Sequence, residues 1–363
     1  MKKKVIVIGG GFCGITAAKI LENQKEIDLT LIDKKSHFEY YPGLHELVAQ
    51  PNIYKKMITT FKKILKNTAL IHEKVKSVEP DKVKTEKRTE EFDYLIISAG
   101  ANYPVFIEKR NVFTVTSVEN ALKLSNKVRK SESIVVIGGG PIGTEIAGEL
   151  VTKTSGKEVT LIHLRDGLLE RGPKKASNYA KNALEENGAD IVLGEKIIEH
   201  APGKFLTDKG RDIEADIGIW CGGIKPNTGF MESFKDSIYS ENGALKVTDK
   251  LNLLDYSNIF AGGDINNIPE EKTAHNAEIH GYIIAENIIR SIIGKDLTDY
   301  ESRESPLLIS LGSQNGILTF QNRTLPGYPP LLMKDLIRKW TMTKMKSKTL
   351  SKLEKFIFKN SPL

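Results

Sequence analysis

Cysteine is nearly absent. The 363 residues hold two, Cys13 and Cys221, and two cysteines so far apart make neither a C-x-x-C redox pair nor a zinc site. A reduced, cytoplasmic setting is the expectation, and no metal is expected. Long apolar runs are also missing: no stretch reaches the roughly 18 residues a membrane span needs. Low-complexity tracts are absent too. With 40% apolar and 27% charged residues the composition is that of a folded chain, long enough for two domains and a small third one. Position 2 is Lys, where N-myristoylation needs glycine. Met1-Lys2-Lys3-Lys4 and the apolar run after it imitate a signal peptide, but three glycines interrupt the run. Net acidity is lacking: the first 330 residues balance to zero. The formal charge is +7, and nine basic residues against two acidic ones between positions 331 and 363 account for all of it.

Those interrupting glycines are the first positive signal. Val5-Ile6-Val7-Ile8 reads as a strand and Gly9-Gly10-Gly11-Phe12-Cys13-Gly14 follows at once, leading into a helical pattern. Gly9, Gly11 and Gly14 fit the dinucleotide fingerprint G-x-G-x-x-G: a tight turn, close approach to a pyrophosphate, and close packing of helix on strand. The helix N-terminus offers free N–H groups to the phosphates. The next strand, Leu29 to Ile32, ends at Asp33, about 20 residues on, where an acid binds a ribose 2′-hydroxyl. The aromatic, turn-rich stretch His37 to Leu44 is expected to line the cleft, and Ile53 to Ile64 reads as a helix. Phe92 to Gly100 reads as a buried strand whose small end, Ala99-Gly100, suits backbone closing over a nucleotide.

A second fingerprint follows. Ile134 to Ile137 reads as a strand, Gly138-Gly139-Gly140-Pro141-Ile142-Gly143 as the turn, and Thr144 to Leu150 opens a helix. The strand Glu158 to Ile162 ends at His163, with no acid there and Arg165 close by. An acid favours NAD and an arginine accommodates a 2′-phosphate, so a weak nicotinamide preference is expected. The break Gly222-Gly223 with Pro226 marks the return to the first domain. Ile259-Phe260-Ala261 leads to Gly262-Gly263-Asp264, a helical pattern runs from about Lys272 to Ile293, and Pro306 to Phe320 reads as a hairpin.

Two such sites in one α/β chain imply electron transfer between two nucleotides. The arrangement resembles the two-dinucleotide-binding, glutathione-reductase-like flavoproteins: two Rossmann-like domains, FAD at the first site and NAD(P)H at the second. The expected parts are FAD-binding segments 1–108 and 228–296, an NAD(P)H-binding domain 109–227, a C-terminal hairpin 297–330 and a basic amphipathic tail 331–363. Disulfide reductases of this group carry a cysteine pair around Tyr40 to Glu46, and none is here. Val7 to Phe12, Lys157 to His163, Gly243 to Val247, Ser257 to Asp264 and Leu308 to Gly312 are similar to the ferroptosis-suppressor, or apoptosis-inducing-factor-like, family of quinone reductases. Lys272-Thr273-Ala274-His275 resembles the quinone-site helix of type II NADH dehydrogenases. Both relatives move two electrons from NAD(P)H through FAD to a membrane quinone.

The resemblance implies roles residue by residue. Gly9, Gly11, Phe12, Gly14, Asp33 and Lys34 would hold FAD, with Ala99, Gly100, Asp264 and Lys272. Gly138, Gly140, Gly143 and His163 would hold NAD(P)H, His163 replacing the acid in that family as well. Glu145 would lie near nicotinamide and flavin, Lys272 at the flavin edge, and His275 at the quinone, whose reduction consumes two protons. His280 is expected to be structural. The alternative is a soluble reductase feeding a ferredoxin- or rubredoxin-type carrier.

In the tail, Lys348, Lys352, Lys355 and Lys359 recur at helical spacing opposite Leu350, Leu353 and Ile357. That is the pattern of an interfacial helix on an anionic membrane surface, so a peripheral membrane location is expected. Nucleic acid is not expected, because single-strand sites interleave aromatics to stack bases.

Overall fold

The computed structural model describes residues 2–107 and 110–346. The amphipathic pattern around Lys348 to Lys359 therefore lies outside the described residues.

Five parallel strands form the first sheet, in the order Ile259–Ala261, Tyr94–Ile97, Lys3–Ile8, Ile27–Ile32, Ala69–Ile71. Val5 to Ile8 of the central strand is apolar at every position because both faces are covered there. Val5 and Val7 enter one apolar cluster, while Ile6 and Ile8 enter the other. Ile8 pairs with Ile32, which sets Gly9 beside Asp33 at the carboxyl end of the sheet. The second sheet repeats the plan with Val112–Phe113, Ile217–Trp220, Ser133–Ile137, Glu158–His163 and Ala189–Leu193, again parallel. The chain leaves the first unit and returns to it along adjacent paths, Ala101 pairing with Pro226 and Asn102 with Lys225.

Small residues set how the helices pack. Helix Phe12–Leu21 crosses helix Ala274–Ile292, and a Cβ on Gly281 would lie 2.3 Å from the Cys13 carbonyl oxygen. On helix Pro141–Lys153 a Cβ at Gly148 would lie 2.8 Å from the backbone of both Leu311 and Gly312. These contacts dock the C-terminal sheet on the second fingerprint helix.

Three local expectations change. Ile53 to Ile64 is not one helix: a 3-10 turn Pro51–Lys56, a strand Ile58–Thr60 and a single turn Phe61–Ile64 share the stretch. Strand Ile58–Thr60 pairs with His37–Glu39, and this long-range partner overrides the helical spacing of Ile53, Met57, Phe61 and Ile64. The hairpin gains a third strand, giving an antiparallel sheet of Leu307–Leu311, Asn315–Phe320 and Arg323–Gly327. The first half of the segment read as a tail is helix Tyr328–Lys346, which packs on the body. Lys334, Arg338 and Lys344 are buried on its inner face. Arg338 pairs with Glu46 at 2.6 Å, and Lys344 pairs with Glu278 at 3.0 Å.

Candidate functional site

Both fingerprint turns open onto one cleft of about 3010 Å³, several times the size of an ordinary small-ligand pocket. Gly9 has φ +99°, and a Cβ there would meet the Ser98 carbonyl oxygen at 2.4 Å. At Gly14 a Cβ would come within 1.9 Å of the Gly9 oxygen. At Gly11, by contrast, no atom lies within 4 Å of that position. The second turn matches. Gly138 has φ +115°, a Cβ on Gly143 would sit 1.8 Å from the Gly138 oxygen, and the space beside Gly140 is open. Two glycines of each turn are demanded by the protein itself. The third leaves the room a pyrophosphate needs at a helix N-terminus.

Asp33 Oδ2 accepts the Gly10 N–H at 2.7 Å, and Oδ1 accepts the Lys35 N–H at 2.8 Å. The carboxylate is thus fixed where a ribose would pass, with Lys34 beside it on the cleft wall. Phe12 is buried at the helix start, edge-on to Phe38 and Tyr40. Ala99 and Gly100 line the same wall.

Asp264 faces the cleft between the two turns. Burial raises the pKa of its carboxyl, against the lowering effect of the Lys272 and His280 charges. Among the described residues none donates a hydrogen bond to it, so it has the character of a group kept for a ligand's hydroxyls. Lys272 donates to Asn266 O and Oδ1, both at 3.1 Å, and to Ile268 O at 3.0 Å. Burial pulls its pKa below the usual lysine value. It stands in the cleft as an oriented cation.

His275 does not reach the cleft. It is exposed, while its helix turns Ala274, Asn276 and Ala277 toward the cavity. Five residues on, His280 is buried, accepts the Gly263 N–H on Nδ1 at 3.0 Å and sets Nε2 3.1 Å from Glu270 Oε1. It therefore holds the turn that presents Asp264.

Glu145 lies in the floor of the cleft, in a buried polar cluster drawn from four parts of the chain. Its Oε1 takes the Lys334 ammonium and the Ser310 N–H, the latter at 3.1 Å. Oε2 lies 3.3 Å from His45 Nδ1, and His45 Nε2 is 2.9 Å from Ser310 Oγ. Burial raises the pKa of the Glu145 carboxyl, opposed by Lys334. Burial, reinforced by nearby lysine and arginine charges, holds His45 well below the ordinary histidine value. His45, Ser310 and Lys334 were not singled out from sequence. Lys334 is one of the nine basic residues of the tail by sequence, although Lys334, Arg338, Met342 and Met345 recur at helical spacing.

Cys13 is buried and Cys221 partly buried. Burial pushes the pKa of Cys221 up to about 12 and that of Cys13 higher still, where the Asp264 charge adds to it. Among the described residues no cluster suited to a metal ion occurs.

Two Rossmann-like units facing one cleft, each with an open glycine turn, define the α/β fold of an oxidoreductase. The chain belongs to the pyridine nucleotide-disulphide oxidoreductase family, whose model matches residues 3–281. Ferroptosis suppressor protein 1 of Taeniopygia guttata is 31% identical over 333 residues, covering 86% of this chain and 87% of its own. The type II NADH:quinone oxidoreductase of Staphylococcus haemolyticus is 25% identical over 381 residues, covering 93% and 94%. In fold, the sulfide:quinone oxidoreductase of Aquifex aeolicus superposes with a TM-score of 0.87 at 20% identity, over 99% of this chain and 96% of that one.

Proposed function

We propose that the protein is an FAD-dependent NAD(P)H:quinone oxidoreductase that works at a membrane surface. The observation that carries this reading is the pair of open turns at Gly11 and Gly140 on one cleft, with the uncommitted carboxylate of Asp264 between them. The first turn and Asp33 suit the adenosine half of FAD, and Asp264 suits the polyol chain. The second turn suits NAD(P)H. When bound, the flavin would accept two electrons from the nicotinamide and deliver them to the quinone. The chain's own part is to orient and to exclude water. Lys272 places a cation at the cleft wall, and the buried Glu145–Lys334 pair closes the floor. The named relatives favour a quinone as acceptor.

The membrane part rests on helix Tyr328–Lys346, which is inverted relative to a surface helix. Its buried face carries Lys334, Arg338 and Lys344, while Leu332, Met333, Leu336, Ile337 and Trp340 are exposed. Phe320, exposed beside the helix, also lines the cleft. An apolar acceptor leaving a bilayer would meet this face next to the cavity mouth. The basic residues that follow in sequence suit anionic headgroups.

The test is to purify the protein, release its flavin and identify it. The protein is then reduced with NADH and offered a ubiquinone analogue or a ferredoxin. FAD, rapid bleaching by NADH and reoxidation by the quinone are expected. FMN, or reoxidation by ferredoxin alone, overturns the reading.

A further inference from the structure

The two halves of the cleft differ at the carboxyl end of their second strands, where this fold reads the adenosine ribose. Both strands end alike: the Gly9 N–H donates to Ile32 O at 2.9 Å, and the Gly138 N–H donates to Ile162 O at 2.8 Å. Asp33 follows Ile32 and bonds Gly10 directly. His163 follows Ile162, and its ring lies over Gly139, whose Cβ would fall 2.9 Å from the imidazole Cγ. The histidine thus fills the slot of the acid without supplying a charge of the right sign.

An acid is nonetheless present. His163 Nε2 lies 2.9 Å from Glu170 Oε2. Glu170 sits on the loop 164–173, which is pinned to the fingerprint turn by the Leu169 N–H donating to Gly139 O at 2.9 Å. It lines the cleft with 39% of its side chain exposed. Burial raises its pKa, but the His163 hydrogen bond, its own backbone and the Arg171 charge outweigh that, and the net shift is downward. Arg171 is drawn toward Glu271, at 3.3 Å. Arg165 is exposed at the start of the loop.

We propose that Glu170, positioned by His163, reads the adenosine ribose of the pyridine nucleotide and favours a free 2′-hydroxyl, so that NADH is preferred to NADPH. The proposal rests on the second turn being the nicotinamide-cofactor site. A carboxylate accepts a hydrogen bond from the 2′-hydroxyl and repels a 2′-phosphate. The weak preference expected from sequence rests on the lack of an acid at the strand end. Here it arrives seven residues later, through a histidine.

Calorimetric titration of the FAD-loaded, full-length protein with ADP-ribose and with 2′-phospho-ADP-ribose tests this without turnover. ADP-ribose is expected to bind at least about tenfold more tightly. In Glu170→Gln the ratio should fall to within about threefold, with FAD content unchanged. His163→Ala should lower it too, because the carboxylate loses its tether. If Glu170→Gln keeps the wild-type ratio, or the wild type prefers the 2′-phosphate, the proposal is overturned while the cofactor site stands. If neither ligand binds, the cofactor-site reading falls and takes the proposal with it.

Discussion

Lys334 and Glu145 form a buried ion pair across 189 residues of sequence, joining the C-terminal helix to the second fingerprint helix. Breaking a buried pair on one side leaves an uncompensated charge. Lys334→Met is therefore expected to lower unfolding free energy by about 3–5 kcal/mol in urea titrations. The double variant Lys334→Met, Glu145→Gln should recover most of that, because no charge is stranded. Equal loss in the single and double variants would mean that packing around Lys334, and not the pair, holds the helix.

The two kinds of glycine in each turn should behave differently. Gly11→Val and Gly140→Val point a side chain into open space, so both proteins should fold. The first should be colourless; the second should be yellow but fail to bleach with NADH. Gly14→Ala forces a methyl against the Gly9 oxygen, 1.9 Å away, and should yield little soluble protein. Absorbance at the flavin band and circular dichroism separate the outcomes. A yellow Gly11→Val protein would remove FAD from the first turn.

Legibility followed the range of the forces involved. The strands, turns and helices around Gly9 to Asp33 and Gly138 to His163 are each specified within about 25 residues, by apolar runs and obligatory glycines. They were readable in order. The polar cluster of His45, Glu145, Ser310 and Lys334 is assembled by tertiary packing from four distant segments, and only Glu145 carried a local signal. Strand Ile58–Thr60 is made by its partner His37–Glu39, so its own spacing misled. Helix Tyr328–Lys346 is hidden for another reason: its basic residues carry no local sign of burial, yet three of them are buried against acids from distant segments.

Acid should weaken the protein through His45. Its imidazole is neutral when folded, because burial and the neighbouring cations hold it well below the usual value of 6.5. In the unfolded chain it gains a proton as pH falls through 6.5. The unfolded state then binds more protons, and the stability present above that pH is lost on further acidification. The slope is at most about 1.4 kcal/mol per pH unit. His45→Gln removes this contribution, so the wild type should lose more stability than the variant between about pH 7.5 and about pH 5.5. Urea midpoints measured across that range decide it; parallel curves would show that His45 does not titrate on unfolding.

The inverted C-terminal helix makes the membrane reading separable into two parts. Leu336 is 62% exposed and Trp340 45%, so Leu336→Glu with Trp340→Glu should not disturb the core. Flavin content and turnover of a water-soluble quinone should stay near wild type. Binding to vesicles should fall whether or not the lipid is anionic, because an apolar contact is lost. Removing the residues after Lys346 takes away four lysines at helical spacing, each contributing roughly 1 kcal/mol near an anionic surface. That truncation should weaken binding to anionic vesicles more than to neutral ones, and the extra loss should shrink in high salt as the Debye length contracts below about 10 Å. Turnover of a long-chain quinone embedded in the vesicles should track binding in both variants, since that acceptor is reached only from the surface. If both variants sediment with anionic vesicles as strongly as the wild type, neither surface is the anchor. If the Leu336→Glu, Trp340→Glu variant binds normally yet loses long-chain turnover, the apolar face receives the quinone and does not dock the protein.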